Sequence, residues 1–241
     1  MIVAITSSKG GAGKTTLTAI ATASMYAYTD ASIVVVDLDP QASFSNKRER
    51  ETEELTEIHV NTNMYRTMNK SFERKGKPFN DVETIDLFAD FKSIKNKLKD
   101  LEKKYDLVFL DFPGSMNLHK NTLALLTVLD RIFVPFYVDE NTFDSTFPFA
   151  KSLYEFKRTG KTKADIYVFF NKYRDSGKNA SLFKKVDEFL KSNDMNVMNN
   201  HVYEDITIER YHTVVPPRRS QAPKNVHHWV EEMYEMINHK T

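Results

Sequence analysis

The chain has 241 residues, of which 41% are hydrophobic and 12% aromatic, enough for one α/β domain or two small ones with a real core. Its net charge of +1 gives no global drive toward nucleic acid or membrane, so any such surface has to be local. The absence of cysteine excludes disulfides, cysteine-ligated zinc and iron–sulfur clusters. No apolar run reaches membrane-spanning length and no signal peptide is visible, so the chain reads as soluble and cytoplasmic.

Ile2-Val3-Ala4-Ile5 predicts a short strand. Lys9-Gly10-Gly11-Ala12-Gly13-Lys14-Thr15-Thr16 comes next, and an amphipathic helix is expected from Lys14 to Tyr28, with Leu17, Ile20, Ala21, Ser24, Met25 and Tyr28 on its packing face. Strand, glycine turn and helix start in that order make a phosphate-binding loop. The glycines let successive N–H groups curl around an anion, and the helix adds its positive dipole end. Lys14 can reach β- and γ-phosphates, and the Thr15 hydroxyl can ligate Mg²⁺. Only 7 glycines occur in the chain and three of them fall at positions 10, 11 and 13, a clustering that linker composition does not explain. Ser8 stands where the general pattern has its first glycine, and a second lysine, Lys9, precedes the glycine pair. That is the deviant Walker A form.

Ile33-Val34-Val35-Val36 predicts a strand buried on both faces, as in parallel sheets. It ends in Asp37-Leu38-Asp39-Pro40-Gln41, which places carboxylates where open α/β sheets bind ligands, although Asp37 could instead cap the turn before Pro40. Residues 47–57 carry eight charges of mixed sign and read as a solvated helix face. No chemistry is visible from there to about residue 80. Phe91, Ile94, Leu98 and Leu101 recur at helical spacing, opposite Lys92, Lys95, Lys99 and Lys103. The strand Leu107-Val108-Phe109-Leu110 then ends in Asp111, a Walker B candidate for holding Mg²⁺ directly or through water.

Strand and helix continue to alternate: strand 131–136, helix 142–158, strand 166–170 and helix 181–191. A last helix carries Val226, Trp229, Val230, Met233 and Ile237 on one stripe. The stripe suits core packing or a membrane surface, but Glu231, Glu232 and Glu235 on its polar side favour the core. His227-His228 reads as solvent-facing rather than as a metal pair. Asn171-Lys172-Tyr173-Arg174-Asp175 is one residue too long for a guanine-reading motif, which favours ATP. No repeat or linker divides the chain. The expected fold is a single α/β domain spanning 1–241, with a mainly parallel sheet flanked by helices on both faces, a P-loop NTPase of the deviant Walker A type.

Lys9 to Thr16, Val36-Asp37-Leu38-Asp39-Pro40-Gln41-Ala42 and Tyr105 to Gly114 resemble the ParA branch of the ParA/MinD ATPases. The likeness extends through Pro135 and loosely to Pro216-Pro217-Arg218-Arg219-Ser220-Gln221-Ala222-Pro223; residues 45–90 carry none of it. The resemblance implies a small ParA that hydrolyses Mg·ATP as a switch and forms an ATP-dependent homodimer with nucleotide sandwiched between subunits. It implies non-specific DNA binding and a centromere-binding partner protein in plasmid or chromosome partition, without a membrane. By position, Lys9 is the signature lysine that contacts phosphate across the dimer, and Lys14 and Thr15 bind phosphate and Mg²⁺ in cis. Asp39 orients the attacking water, and Asp37 and Asp111 support the metal. Gly10, Gly11, Ala12, Gly13, Thr16, Asn171 and Pro217 complete the nucleotide site, with Asn171 near the adenine. Basic residues at Arg218, Arg219 and Lys224, with Lys184, Lys185 and Lys191 on the preceding helix, are either a DNA-contacting patch or a solvated face. The lysine face of 92–103 is the other candidate. A second function class, a metabolite-phosphorylating enzyme of the dethiobiotin-synthetase kind, shares the fold but has no evident need for Lys9.

Overall fold

A computed structural model describes residues 1–57, 63–114, 120–137, 140–174, 177–205, 208, 211–217 and 226–239. In chain order the elements are β1 (Ile2–Ile5), α1 (Lys14–Tyr28), β2 (Ile33–Asp37), α2 (Ser43–Glu57), α3 (Asn63–Lys75), β3 (Asp81–Thr84), α4 (Phe91–Lys104) and β4 (Leu107–Asp111). They continue with α5 (Lys120–Leu126), β5 (Arg131–Phe136), α6 (Glu140–Arg158), β6 (Asp165–Tyr173), α7 (Gly177–Ser192), β7 (Asn196–Val197), β8 (Val202–Tyr203) and α8 (Val226–Asn238).

The strands form one sheet in the order β3-β2-β4-β1-β5-β6-β7, with β8 also paired to β6. Every described pairing is parallel. From β1 the chain passes over β4 to build β2 and β3, returns to β4, and then crosses to β5 and β6. The central strand therefore lies where the winding reverses, and ligands of open α/β sheets bind at the carboxyl ends there.

The two-residue period of a strand sorts the apolar side chains onto two faces. Val3, Ile5, Val35, Phe109, Phe133 and Phe169 point to one core, which α1 and α8 cover with Leu17, Ile20, Trp229 and Met233. Ala4, Val34, Val36, Leu110, Val134 and Val168 point to the other, covered by Ile94, Leu98, Leu125, Leu153 and Leu190. The C-terminal stripe is thus core. Trp229 is fully buried beside Phe169, ring centroids 5.0 Å apart. His227 departs from expectation: it is buried, with Nε2 2.7 Å from the Pro217 carbonyl and its ring edge-on to Tyr28, while His228 is exposed.

The charged run 47–57 also differs from its sequence reading. Arg48 and Glu51 are buried, at 7% and 6% exposure. The Arg48 guanidinium donates to the Thr213 hydroxyl at 2.9 Å, to the Asn80 carbonyl at 2.5 Å, and to the Thr213 carbonyl. Glu51 accepts from the Thr213 amide and hydroxyl at 2.7 and 2.6 Å, and pairs with Lys47 and His212. Two turns of α2 are therefore anchored to the segments at 80 and 211–215. A buried charge is tolerable because nearly every donor and acceptor finds a partner.

Candidate nucleotide site

Gly13 is the N-cap of α1 with φ 80°, and Gly11 has φ 73°. Both lie in left-handed backbone that residues with a Cβ adopt only under strain. Space is restricted as well. A Cβ on Gly13 would lie 3.3 Å from Asn171 Nδ2, and one on Gly10 would lie 3.4 Å from the Gly114 carbonyl oxygen. The loop is thus held between β6 and the segment that follows β4. Asn171 fixes the near side by donating from Nδ2 to the Ala12 carbonyl at 3.0 Å.

The two lysines of the loop sit in opposite environments. Lys14 is 3% exposed, and its ammonium donates to the Lys9 carbonyl at 3.1 Å and the Gly114 carbonyl at 2.7 Å. Burial lowers its pKa to about 8, against the pull of Asp111 and Asp39 toward the charged form. Lys9 is exposed, at the rim of the same loop.

Asp37 and Asp111 face each other in register at the ends of β2 and β4. Burial pushes the Asp111 carboxyl up to about 7, with Asp37 and Asp39 adding to the effect and the Thr15 hydroxyl and Lys14 opposing it. Neither Asp111 oxygen has a hydrogen bond of good geometry among the described residues. A buried acid so placed beside a threonine hydroxyl fits a divalent cation. Among the described residues no group of three His, Cys, Asp or Glu could hold a metal alone. These residues would be a partial ligand set for Mg²⁺, to be completed by water and phosphate oxygens. Asp37 is more committed: Oδ1 accepts from the Asp39 amide at 3.0 Å, and Oδ2 accepts from the Ser45 amide and hydroxyl, both at 2.9 Å. The turn-capping alternative is therefore realised in Asp37, whatever it adds to a metal. Asp39 is half-buried, and its Oδ1 accepts from the Gln41 amide at 3.0 Å.

A cavity of about 240 Å³ opens beside the loop, lined by Gly11, Gly13, Thr16, Leu17, Asn171 and Lys172 together with Tyr203, Glu204, Asp205 and Ile208. A smaller one, about 120 Å³, is lined by Lys9 to Ala12, Pro135, Tyr137, Asn171 and Lys172. The structure so brings together Lys9, the glycines, Ala12, Thr16 and Asn171. Tyr203, Glu204, Asp205 and Ile208 belong to the wall and carried no sequence signal, because β8 has only two residues. Pro217 does not line either cavity; its carbonyl faces His227. Tyr211 instead reaches the loop, hydrogen-bonding the Thr16 side chain, and Lys47 of α2 lies 4.6 Å from the centre of its ring.

Arg218, Arg219 and Lys224 lie outside the described residues. Of the lysines grouped with them, Lys184 stands 4.0 Å from Glu188 and Lys191 2.8 Å from Asp187, each on its own helix. That arrangement is a mixed-sign solvated face.

A parallel sheet with a glycine loop leaving its central strand, a buried lysine in that loop and an acid on the neighbouring strand define a P-loop nucleotide-binding protein. The family model described as "AAA domain" matches residues 1–166, and the chain belongs to that family. Its fold is that of the ParA/MinD-type proteins. A plasmid partition protein from Borrelia burgdorferi is similar at 20% identity over 88% of this chain and 95% of that one, with a TM-score of 0.58. The MinD cell division protein of Aquifex aeolicus is similar at 13% identity, covering 100% and 98% of the two chains at a TM-score of 0.64. Cobyrinic acid a,c-diamide synthase from Mycobacterium smegmatis, solved with a bound ATP analog and magnesium, reaches 0.69 at 16% identity, covering 98% of this chain and 95% of that one. None of the described helices is long and apolar enough to cross a membrane.

Proposed function

We propose that this chain is a ParA-type ATPase that binds Mg·ATP, dimerises around the nucleotide, binds duplex DNA without sequence preference and moves a DNA cargo with a centromere-binding partner protein. The observation that carries the reading is the pair of lysines in one glycine loop, Lys14 buried against the Lys9 and Gly114 carbonyls and Lys9 exposed at the rim. A loop serving one subunit needs a single cation at its centre. A second, outward lysine has a purpose when a facing copy presents its own phosphates. The fold alone does not separate this reading from a metabolite-phosphorylating enzyme, since a diamide synthase shares it; Lys9 favours the first reading.

In this reading the amides of Gly10 to Thr16 and the Lys14 ammonium hold the phosphates, and Asn171 and the wall around Tyr203 receive the base. Thr15 and Asp111 would hold Mg²⁺, with Asp37 in support. That ion supplies charge neutralisation for the transferring phosphoryl group. Asp39, at the mouth, accepts a proton from water and aligns it for attack, and Lys9 of the facing subunit stabilises the charge that develops. Phosphoryl transfer needs little covalent help, so this positioning is the greater part of the catalysis. The test is sedimentation of the wild-type protein with ADP and with a non-hydrolysable ATP analogue, beside ATP turnover with duplex DNA present. Dimers only with the analogue and turnover raised by DNA together with the partner support it; an ATP-driven modification of a metabolite by a monomer overturns it.

A further inference from the structure

Helix α4 carries Lys92, Lys95, Lys97, Lys99, Lys103 and Lys104 against only Asp100 and Glu102, a local net charge of +4 in a chain whose total is +1. All six lysines are exposed. Lys97 turns to Glu83 and the Thr84 carbonyl, and Lys103 to Asp100. Lys92, Lys95 and Lys99 have no carboxylate within ion-pairing distance among the described residues. The balance differs on α7, where Lys184 and Lys191 each face an acid one turn away and only Lys185 of the three is without one among the described residues.

The row carries a stability cost. Lys92 to Lys95 and Lys95 to Lys99 are like charges one turn apart, and each pair opposes the helix. Lys92 also sits in the first turn, where the helix dipole disfavours a cation and the N-cap Asp90 carboxylate accepts from the Ser93 amide. A row so arranged does nothing for the fold. We propose that Lys92, Lys95 and Lys99 form a contact surface for the phosphate backbone of duplex DNA. This rests on the reading above only for the choice of DNA as the polyanion.

The helix geometry suits that ligand. Lys92 to Lys99 spans about 10 Å at the α-helical rise, a length over which duplex DNA presents roughly six phosphate charges. A membrane surface is a poorer fit. Membrane-surface helices insert an apolar face, and here that face, Ile94, Leu98 and Leu101, is buried in the sheet core. The N-terminal end of α4 follows the carboxyl end of β3, so the row begins at the end of the sheet that carries the nucleotide loop.

The experiment titrates salt against the affinity of a 30-base-pair duplex, with a non-hydrolysable ATP analogue saturating. It uses wild type, the triple variant Lys92→Gln/Lys95→Gln/Lys99→Gln and the double variant Arg218→Ala/Arg219→Ala. The triple variant should bind every sequence more weakly and lower the slope of log affinity against log salt by about 2.7, at roughly 0.9 per lost contact. Its nucleotide affinity should be unchanged and its melting temperature equal to or above wild type. A triple variant with wild-type slope while the double variant loses binding overturns the α4 surface and spares the DNA reading. A wild type that binds no duplex at low salt overturns both. Lysine-dependent cosedimentation with vesicles containing 30 mol% phosphatidylserine, without DNA binding, would assign the row to lipid instead and overturn the proposal.

Discussion

Asn171 of β6 donates its side-chain amide to the carbonyl of Ala12 at 3.0 Å, joining the phosphate loop to a strand 159 residues further along the chain. The same side chain lines the larger cavity. One residue therefore shapes the loop and forms part of the wall that receives the ligand. Asn171→Ala should leave the fold intact and weaken nucleotide binding by about tenfold, the scale of one net hydrogen bond of ~1–1.5 kcal/mol. Calorimetric titration with ATP checks it, and an unchanged affinity would reduce Asn171 to a cap on the loop.

The two loop lysines should separate on substitution. Lys14→Ala removes a charge-assisted contact worth up to ~3 kcal/mol and should weaken ATP binding by about 100-fold. Lys9→Ala should spare affinity and abolish ATP-dependent dimerisation. Affinity and sedimentation measured side by side decide it; a Lys9→Ala protein that still dimerises with ATP removes the role across the dimer.

Asp39→Ala should retain nucleotide and dimer while turnover falls by about 10²–10⁴, the range for loss of a general base. Turnover at the parent rate would leave Asp39 as a turn residue, bonded to the Gln41 amide as seen here.

Legibility in the sequence followed burial type. β1, β2 and β4 are runs of apolar residues buried on both faces, so they could be placed to within a residue. β3, with only Val82 apolar among Asp81, Glu83 and Thr84, lies half-buried at the sheet edge and gave no such signal. The loop, Lys14 and Asp111 were readable because glycine clustering and an acid at a strand tip have few other uses. Tyr203, Glu204, Asp205 and Ile208 were not, since a two-residue strand has no periodicity. Arg48, Glu51 and His227 misled for one reason: hydropathy pattern reports apolar burial, and these groups are buried through hydrogen bonds.

The Arg48 network makes a stability prediction. Arg48→Met leaves the Asn80 and Thr213 carbonyls short of a donor and should cost about 3 kcal/mol. Arg48→Lys should recover only part, because a point ammonium cannot span both segments. Chemical denaturation of the free protein measures both, and a neutral Arg48→Met would show the network to be idle.

The same network sets a pH dependence. Burial alone would raise Glu51, but hydrogen bonds from His212, Thr213 and Lys47 outweigh it and bring its pKa to about 2, from 4.5. Its contribution is therefore complete above 4.5 and lost as pH falls toward 2. The His212 pKa is raised from 6.5 by its bond to Glu51, against burial. Its contribution is complete below 6.5 and lost as pH rises through the raised value. Unfolding free energy should thus decline as pH rises above 6.5, and His212→Gln should flatten that decline while also shrinking the acid limb, because Glu51 loses one of the bonds that lower its pKa. A decline of equal size in both proteins would assign it to another group.

The buried carboxylate of Glu232 on α8 accepts from the amides of Asn199 and Asn200, both at 2.7 Å, at the turn between β7 and β8. The last helix thus works as a clasp on the sheet's far edge, and through β8 on the wall around Tyr203. Anyone shortening this protein from its C-terminal end for crystallisation or fusion would disturb ligand binding before touching the phosphate loop. A tag is better carried beyond Asn238 than in place of the helix.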